Sequence, residues 1–234
     1  MTEISNFETF LFINKEKITI SVNTIPKFQN IYEKEFNLEK NRNLQSFDEL
    51  EQFLNENIFV IEKLLNNFIK KIVVILDIDD FFIIDLSIKK NNYENSINLK
   101  NLNYLINEAK ENCKKTIGNR KIIHLLIKNY LINNENHSSF PKTLEINTLS
   151  LDLKFICLSS NLSMTLERIL KKYQISLSQV FCADYVKSFL VENEKNIFKM
   201  TKKLMDGYNP NEVVLISKKP QHMGFFEKFF NFFN

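Results

Sequence analysis

Apolar residues along this chain fall into three kinds of run, and each kind predicts a different element. The first is short and alternating. In FETFLFINKEKITISVNT, Ile18, Ile20 and Val22 alternate with polar neighbours, and the polar NKEK separates two apolar stretches. This pattern predicts strands around Phe10–Ile13 and Lys17–Val22 joined by a turn. A third strand is expected over NIYEKEFNL, Asn30–Leu38. The second kind has helical spacing. Phe47, Leu50, Phe53, Leu54, Ile58, Ile61, Leu64, Leu65 and Phe68 repeat every three or four residues. Ser46 precedes them with Glu49 three places on, which reads as a capping box. The polar stretch Asn55–Asn57 is expected to interrupt this helix. Leu99, Leu102, Leu105, Ile106 and Ala109 form a second helical stripe, which Gly118 is placed to terminate. The third kind is a continuous apolar run, IVVILDID from Ile72 to Asp79, expected of a strand buried on both faces.

Further elements follow from the same patterns. FFIIDLSIKK is a second strand or a continuation of the first. KIIHLLIKNYLIN is a long strand, and TLEINTLSLDLKFICLS is extended. SNLSMTLERILKKYQI is a third helix, SQVFCADY a short strand, and YVKSFLVENEKNIFKMTKKLMD helical up to Gly207. VVLIS is extended, and the linker-like KKPQHMG leads to the C-terminal residues. The middle third therefore reads strand, helix, strand, strand, helix, strand. The fold class is α+β or mixed α/β, not a helical bundle.

Composition sharpens this in three places. The 234 residues suffice for one large domain or two small ones with a real core. Net charge is +3 from 31 basic and 28 acidic residues, and basic residues cluster no further than pairs such as Lys114-Lys115. This excludes the concentrated basic face of a nucleic-acid binder, so no nucleic-acid partner is expected. Cys113, Cys157 and Cys182 are widely spaced and odd in number, which points away from a disulfide framework and towards a reducing compartment. The N-terminus MTEISNFETF lacks a signal-peptide pattern, and no run approaches the roughly 20 apolar residues that span a bilayer. The three glycines are Gly118, Gly207 and Gly224. Without a glycine before residue 118, the first half cannot build a glycine-rich phosphate loop.

Two features carry candidate chemistry. Asp77 and Asp79 lie two apart and would share one face of a strand. Carboxylates so placed can bind Mg²⁺ or act as nucleophile and acid. The hydrophobic strand ending in DxD resembles the first motif of haloacid-dehalogenase phosphatases. KFICLSS, ending at Ser159, resembles that family's second motif. Phe81 stands where the family has Thr or Val, and VVLIS is followed by Lys218 and Lys219, not by an acidic pair. A Mg²⁺-dependent phosphatase is thus the alternative, against solvated aspartates at a strand end. His124 is expected on the polar face of its strand, His137 in a loop and His222 in the linker, with no metal-ligand spacing among them. Cys157 and Ser159 have no recognisable base partner. No catalytic residue, metal site or cofactor is assigned.

The second feature is the tail, GFFEKFFNFFN. On a helix advancing about 100° per residue, Phe225, Phe226, Phe229, Phe230, Phe232 and Phe233 fall within an arc of roughly 160°. Glu227, Lys228, Asn231 and Asn234 fill the opposite side. This is the pattern of an amphipathic helix lying on a membrane surface, with packing onto the protein's own core or docking to a partner as the alternative. With Lys228 as its only cation it is a weak anchor, which needs a second signal or self-association.

From IVVILDID to about Leu190 the order of elements resembles the strand-helix-strand-strand insertion domain of FtsA, the actin-like cell-division protein. The segments carrying the likeness are INLKNLNYLINEAK, RKIIHLLIKNYLIN, the loop with Pro141, and SLDLKFICLSSNLSMTLERILKKYQISLSQVFCADYVKSFL. The first strands and helix are similar to a degenerate first actin-like lobe, and the tail is like FtsA's membrane-targeting helix. The resemblance implies residues 1–71 as the degenerate lobe, 72–190 as the insertion-like domain, 191–219 as helix and linker, and 220–234 as the tail. The turn INKEK lacks the Asp and Gly of the family's phosphate-binding hairpin, and the length leaves no room for a second lobe. The resemblance therefore implies a non-enzymatic adaptor, cytoplasmic and peripheral to the inner face of the cytoplasmic membrane. It would bind other division proteins or itself and would not bind ATP. A pilus-assembly scaffold of the same actin-like group is a related reading.

Overall fold

A computed structural model describes residue 4 and residues 6–38, 47–91, 99–141 and 146–214. In chain order the strands are β1 (Phe7–Asn14), β2 (Lys17–Thr24), β3 (Asn30–Asn37), β4 (Lys71–Asp77), β5 (Phe81–Asn91), β6 (Arg120–Ile132), β7 (Glu135–His137), β8 (Thr148–Ser159) and β9 (Ser176–Cys182). The helices are α1 (Asp48–Leu65), α2 (Leu99–Thr116), α3 (Ser160–Lys171), α4 (Ala183–Lys187) and α5 (Ile197–Met205). Two sheets result, ordered β3-β2-β1-β4-β9 and β5-β8-β6-β7.

The first sheet is mixed. β1, β2 and β3 run antiparallel, while β4 pairs parallel with both β1 and β9. β4 is central, and its parity explains its continuous apolar run. Ile72, Val74 and Leu76 face one cluster with Leu11, Ile13, Ile18 and Ile20; Val73 and Ile75 face another with Phe10 and Phe12. A strand covered on both sides must be apolar at every position. α1 covers the first side through Leu50, Phe53, Leu54, Ile58, Ile61 and Leu65, and α3 joins it through Leu166, Ile169 and Leu170. α4 and α5 cover the second through Tyr185, Val186, Phe198, Met200 and Leu204.

The second sheet is antiparallel throughout. β8 shows its logic most clearly. Leu149, Leu151, Leu153, Phe155 and Cys157 are buried in one cluster with Leu102, Leu105 and Ala109 of α2. The alternate residues Ser150, Asp152 and Lys154 are only partly buried. Ile156 belongs to the cluster that also holds Phe10 and Val73, so the second sheet meets the lower face of the first there.

Several expectations are corrected. The division at residue 72 cuts through the first sheet, because β4 and β9 share it with β1; the second sheet is built from residues 81–159. Asn57 does not interrupt α1. Its amide Nδ2 donates back to the Phe53 carbonyl at 2.6 Å, and its Oδ1 accepts from the Tyr32 hydroxyl at 2.5 Å. Phe47 holds the N-cap of α1 without a side-chain cap, and Ser46 lies outside the described residues. The expected helix from Tyr185 to Asp206 is two helices. The polar ENEKN between them offers no apolar anchor, and Asn196 starts α5 afresh by accepting the Lys199 N–H at 2.9 Å. Ala183, Asp184 and Tyr185, expected in a strand, open α4 instead. Val213 and Val214 are not in a strand; the rest of VVLIS and the whole tail, including Phe225–Phe233, lie outside the described residues.

Phe155 is fully buried in the second sheet's core. Phe155→Ala is expected to cost about 3–5 kcal/mol, read as a lowered midpoint in urea denaturation with an unchanged slope.

Candidate functional site

The chain leaves the first sheet at Asp77, bends through Ile78 and Asp79, and enters the second at Phe81. Beside this bend lies a cleft of about 600 Å³, lined by β5, β6 and β8 on one side and by α4 and residues 209–211 on the other. Ile78, Phe81, Leu126 and Ile156 supply its apolar wall, and Lys128, Lys154, Asp184 and Asn211 its polar one. Lys128 and Lys154 have no ion-pair partner among the described residues.

A polar network lies beneath this cleft. His124 is almost fully buried on β6. Its Nε2 accepts the backbone N–H of Cys182 at 3.1 Å, so the ring's proton sits on Nδ1, which donates to Glu212 Oε1 at 2.7 Å. Tyr185 donates its hydroxyl to Glu212 Oε2 at 2.6 Å and accepts from Asn209 Nδ2 at 2.9 Å. The imidazole packs against Tyr185 and Phe181, with ring centroids 4.5 and 5.1 Å away. Burial, and next the Glu212 carboxylate, push the Tyr185 hydroxyl well above its ordinary range. Both imidazole nitrogens are thus engaged in hydrogen bonds. Residues 211–213 run beside β6: Ile127 N–H donates to Asn211 O and Val213 N–H to Leu125 O, each at 2.8 Å.

This overturns the placement of His124 on a polar face. Both faces of β6 are covered here: Leu125 and Ile127 enter the core beneath α2, while Leu126 and His124 face the side closed by Phe181, Tyr185 and Glu212. Glu212, Tyr185 and Asn209 had no signal of their own in the sequence.

The two aspartates do not share a strand. β4 ends at Asp77, and Asp79 lies in the bend beyond it. Asp77 pairs with Lys187 at 2.7 Å, and Asp79 pairs with Lys15. Ser159 ends β8 in the other sheet and does not line the cleft. The structure therefore sets the two phosphatase-like strands in different sheets, one mixed and one antiparallel. Among the described residues no His, Cys, Asp and Glu side chains group as a metal site would require. At the β1–β2 turn, Asn14 Oδ1 accepts the N–H groups of Glu16 and Lys17 at 2.9 and 2.6 Å. His137 sits in β7, with its Nε2 buried and unpartnered. All three cysteines are free and buried. Burial raises the Cys113 thiol and pushes the Cys157 thiol up to about 12.

Comparison with solved structures shows a likeness to actin-like folds. The likeness to a solved PilM–PilN type IV pilus biogenesis complex has a TM-score of 0.50 at 8% identity, over 79% of this chain and 49% of that one. Two other structures align at a TM-score of 0.39 and 11% identity. One is the cytoplasmic domain of EpsL, an inner-membrane component of the type II secretion system of Vibrio cholerae, covering 77% of this chain and 59% of that one. The other is a Bacteroides thetaiotaomicron protein with an actin-like ATPase fold, covering 81% and 58%. The chain thus spans about half to three-fifths of the length of these structures. No family model matches the sequence, and no curated protein matches it.

Glu212→Ala would leave the His124 N–H and the Tyr185 hydroxyl without their acceptor. A loss of roughly 1–3 kcal/mol per orphaned group is expected, with faster hydrogen exchange at the Ile127 and Val213 amides. Burial raises all three thiols, so the thiolate fraction at pH 8 is small. Ellman's reagent is expected to leave Cys113, Cys157 and Cys182 untouched in the native protein and to titrate all three in guanidinium.

Proposed function

We propose that this chain is a non-catalytic, membrane-tethered adaptor of the actin-like group. It would be built like FtsA and work through protein contacts in a cell-division or septal-ring assembly. The observation that carries this reading is the closure of the first sheet's strand-end edge. Asp77 and Asp79 are held by Lys187 and Lys15, and the hairpin turn spends two backbone N–H groups on Asn14. A phosphate cradle needs such N–H groups free, and a Mg²⁺ site needs unpaired carboxylates. Their prior engagement supports a chain that holds neither ATP nor Mg²⁺. It also weighs against the phosphatase alternative. The His124 network supports the same view, because a ring with both nitrogens bonded serves as a clamp more readily than as a base.

What stays open is the cleft. Its apolar wall and the unpaired Lys128 and Lys154 suit an acidic partner segment. The tail, Phe225–Phe233 with Lys228, would place the adaptor on the membrane's inner face. A pilus-assembly scaffold is the second reading, favoured by the likeness to the PilM–PilN complex.

The test is sedimentation with vesicles containing anionic lipid. The full chain is expected to pellet, and a version ending at Lys219 to stay in the supernatant. Equal pelleting of the two would remove the membrane role.

A further inference from the structure

β5 is an edge strand of 11 residues, and β8 is the strand on its other side. Among the described residues, no other segment gives its backbone a hydrogen bond. Long, regular edges of this kind invite a further strand, and proteins ordinarily blunt them. The sequence of β5 indicates which strand would fit.

The residues of β5 sort into two faces. Ile84, Leu86 and Ile88 pack against the core beneath α2, yet each is only partly buried, because the open edge leaves them half-covered. Ile83, Asp85, Ser87 and Lys89 are exposed on the other face. Neither Asp85 nor Lys89 has an ion-pair partner among the described residues.

A second copy of β5, laid antiparallel across a two-fold axis at Ser87, satisfies both faces together. Residue i then lies opposite residue 174 − i of the partner. On the exposed face, Asp85 meets the partner's Lys89, and Lys89 meets the partner's Asp85. On the core face, Leu86 meets the partner's Ile88, and Ile88 the partner's Leu86. Facing residues in an antiparallel pair point to one side, so the two apolar faces join into one. Centring the axis on Asp85 or on Lys89 would set like charges opposite each other, which is unfavourable. An isologous two-fold contact needs self-complementarity of this kind.

We propose that this chain forms a homodimer by antiparallel β5–β5 pairing centred on Ser87, joining the two second sheets into one continuous sheet. This is independent of the adaptor reading, since it requires neither the membrane nor a partner protein.

Sedimentation velocity on the full chain over a concentration series tests it. Asp85→Lys and Lys89→Asp each replace two symmetry-related attractions by repulsions. Each is expected to move the monomer–dimer midpoint roughly tenfold or more upward. The double exchange, Asp85→Lys with Lys89→Asp, restores the pairing and is expected to return the midpoint to within about threefold of the original. Ser87→Cys places two thiols across the axis, where facing Cα atoms lie about 4.5–5.5 Å apart, within disulfide reach. It is expected to cross-link on mild oxidation, while Ile83→Cys, far from its own copy in this register, is not. A chain that stays monomeric throughout the series would overturn the proposal. So would a dimer indifferent to the charge variants, failure of the double exchange to restore pairing, or equal cross-linking of Ser87→Cys and Ile83→Cys.

Discussion

A buried imidazole ties the two sheets to each other and to the C-terminal segment. His124 rises from β6, in the second sheet, and accepts the amide of Cys182, the last residue of β9 in the first. Its other nitrogen reaches Glu212, whose neighbours run beside β6 as an added backbone partner. One ring therefore bonds three segments far apart in sequence. Tyr185 closes the arrangement from α4 by sharing the same carboxylate. Buried polar groups are costly when half-satisfied and specifying when complete. Here each carboxylate oxygen and each ring nitrogen has a partner, so the relative placement of the sheets is set by directional bonds as well as by apolar packing.

The parts of this fold legible in the sequence are those whose signal is local. The continuous run Ile72–Leu76 announced a strand covered on both faces, and β4 is that strand. The helical stripe from Leu50 to Leu65 and the one from Leu102 to Ala109 became α1 and α2. What defeated local reading was two-sided burial and chain bending. KIIHLLIKNY looks like simple alternation with one solvent face, but both faces of β6 are covered at His124: Leu125 and Ile127 enter one core cluster, while His124 lies against Phe181 and Tyr185 on the other side. The DxD spacing implied a shared face only while both aspartates stayed on β4; the chain bends after Asp77, and each finds its own lysine. Glu212 lies in a stretch without periodicity, so nothing short of the folded chain could bring it to His124.

The level of likeness follows the same division. The order β3-β2-β1-β4-β9 is a long-range property, and likeness to actin-like folds is a likeness at that level. Separating FtsA from other chains of that fold depends on individual side chains. At the β1–β2 turn the side chains bond to the turn itself and to the bend after β4. Asn14 folds its amide oxygen onto the turn's own N–H groups, and Lys15 reaches across to Asp79.

The balance of satisfied and unsatisfied groups gives the molecule its direction. Inside and along the strand ends, the polar groups described above are largely matched. The second sheet's outer strand differs, since it offers open backbone together with two unpaired, opposite charges four residues apart. A strand from another protein would set Asp85 and Lys89 beside residues that do not match their charges, which weakens its pairing. A second copy brings the matching charges in the matching order. The same two residues thus repel foreign strands and admit their own, so the device that protects this edge from aggregation is also the one that selects its partner.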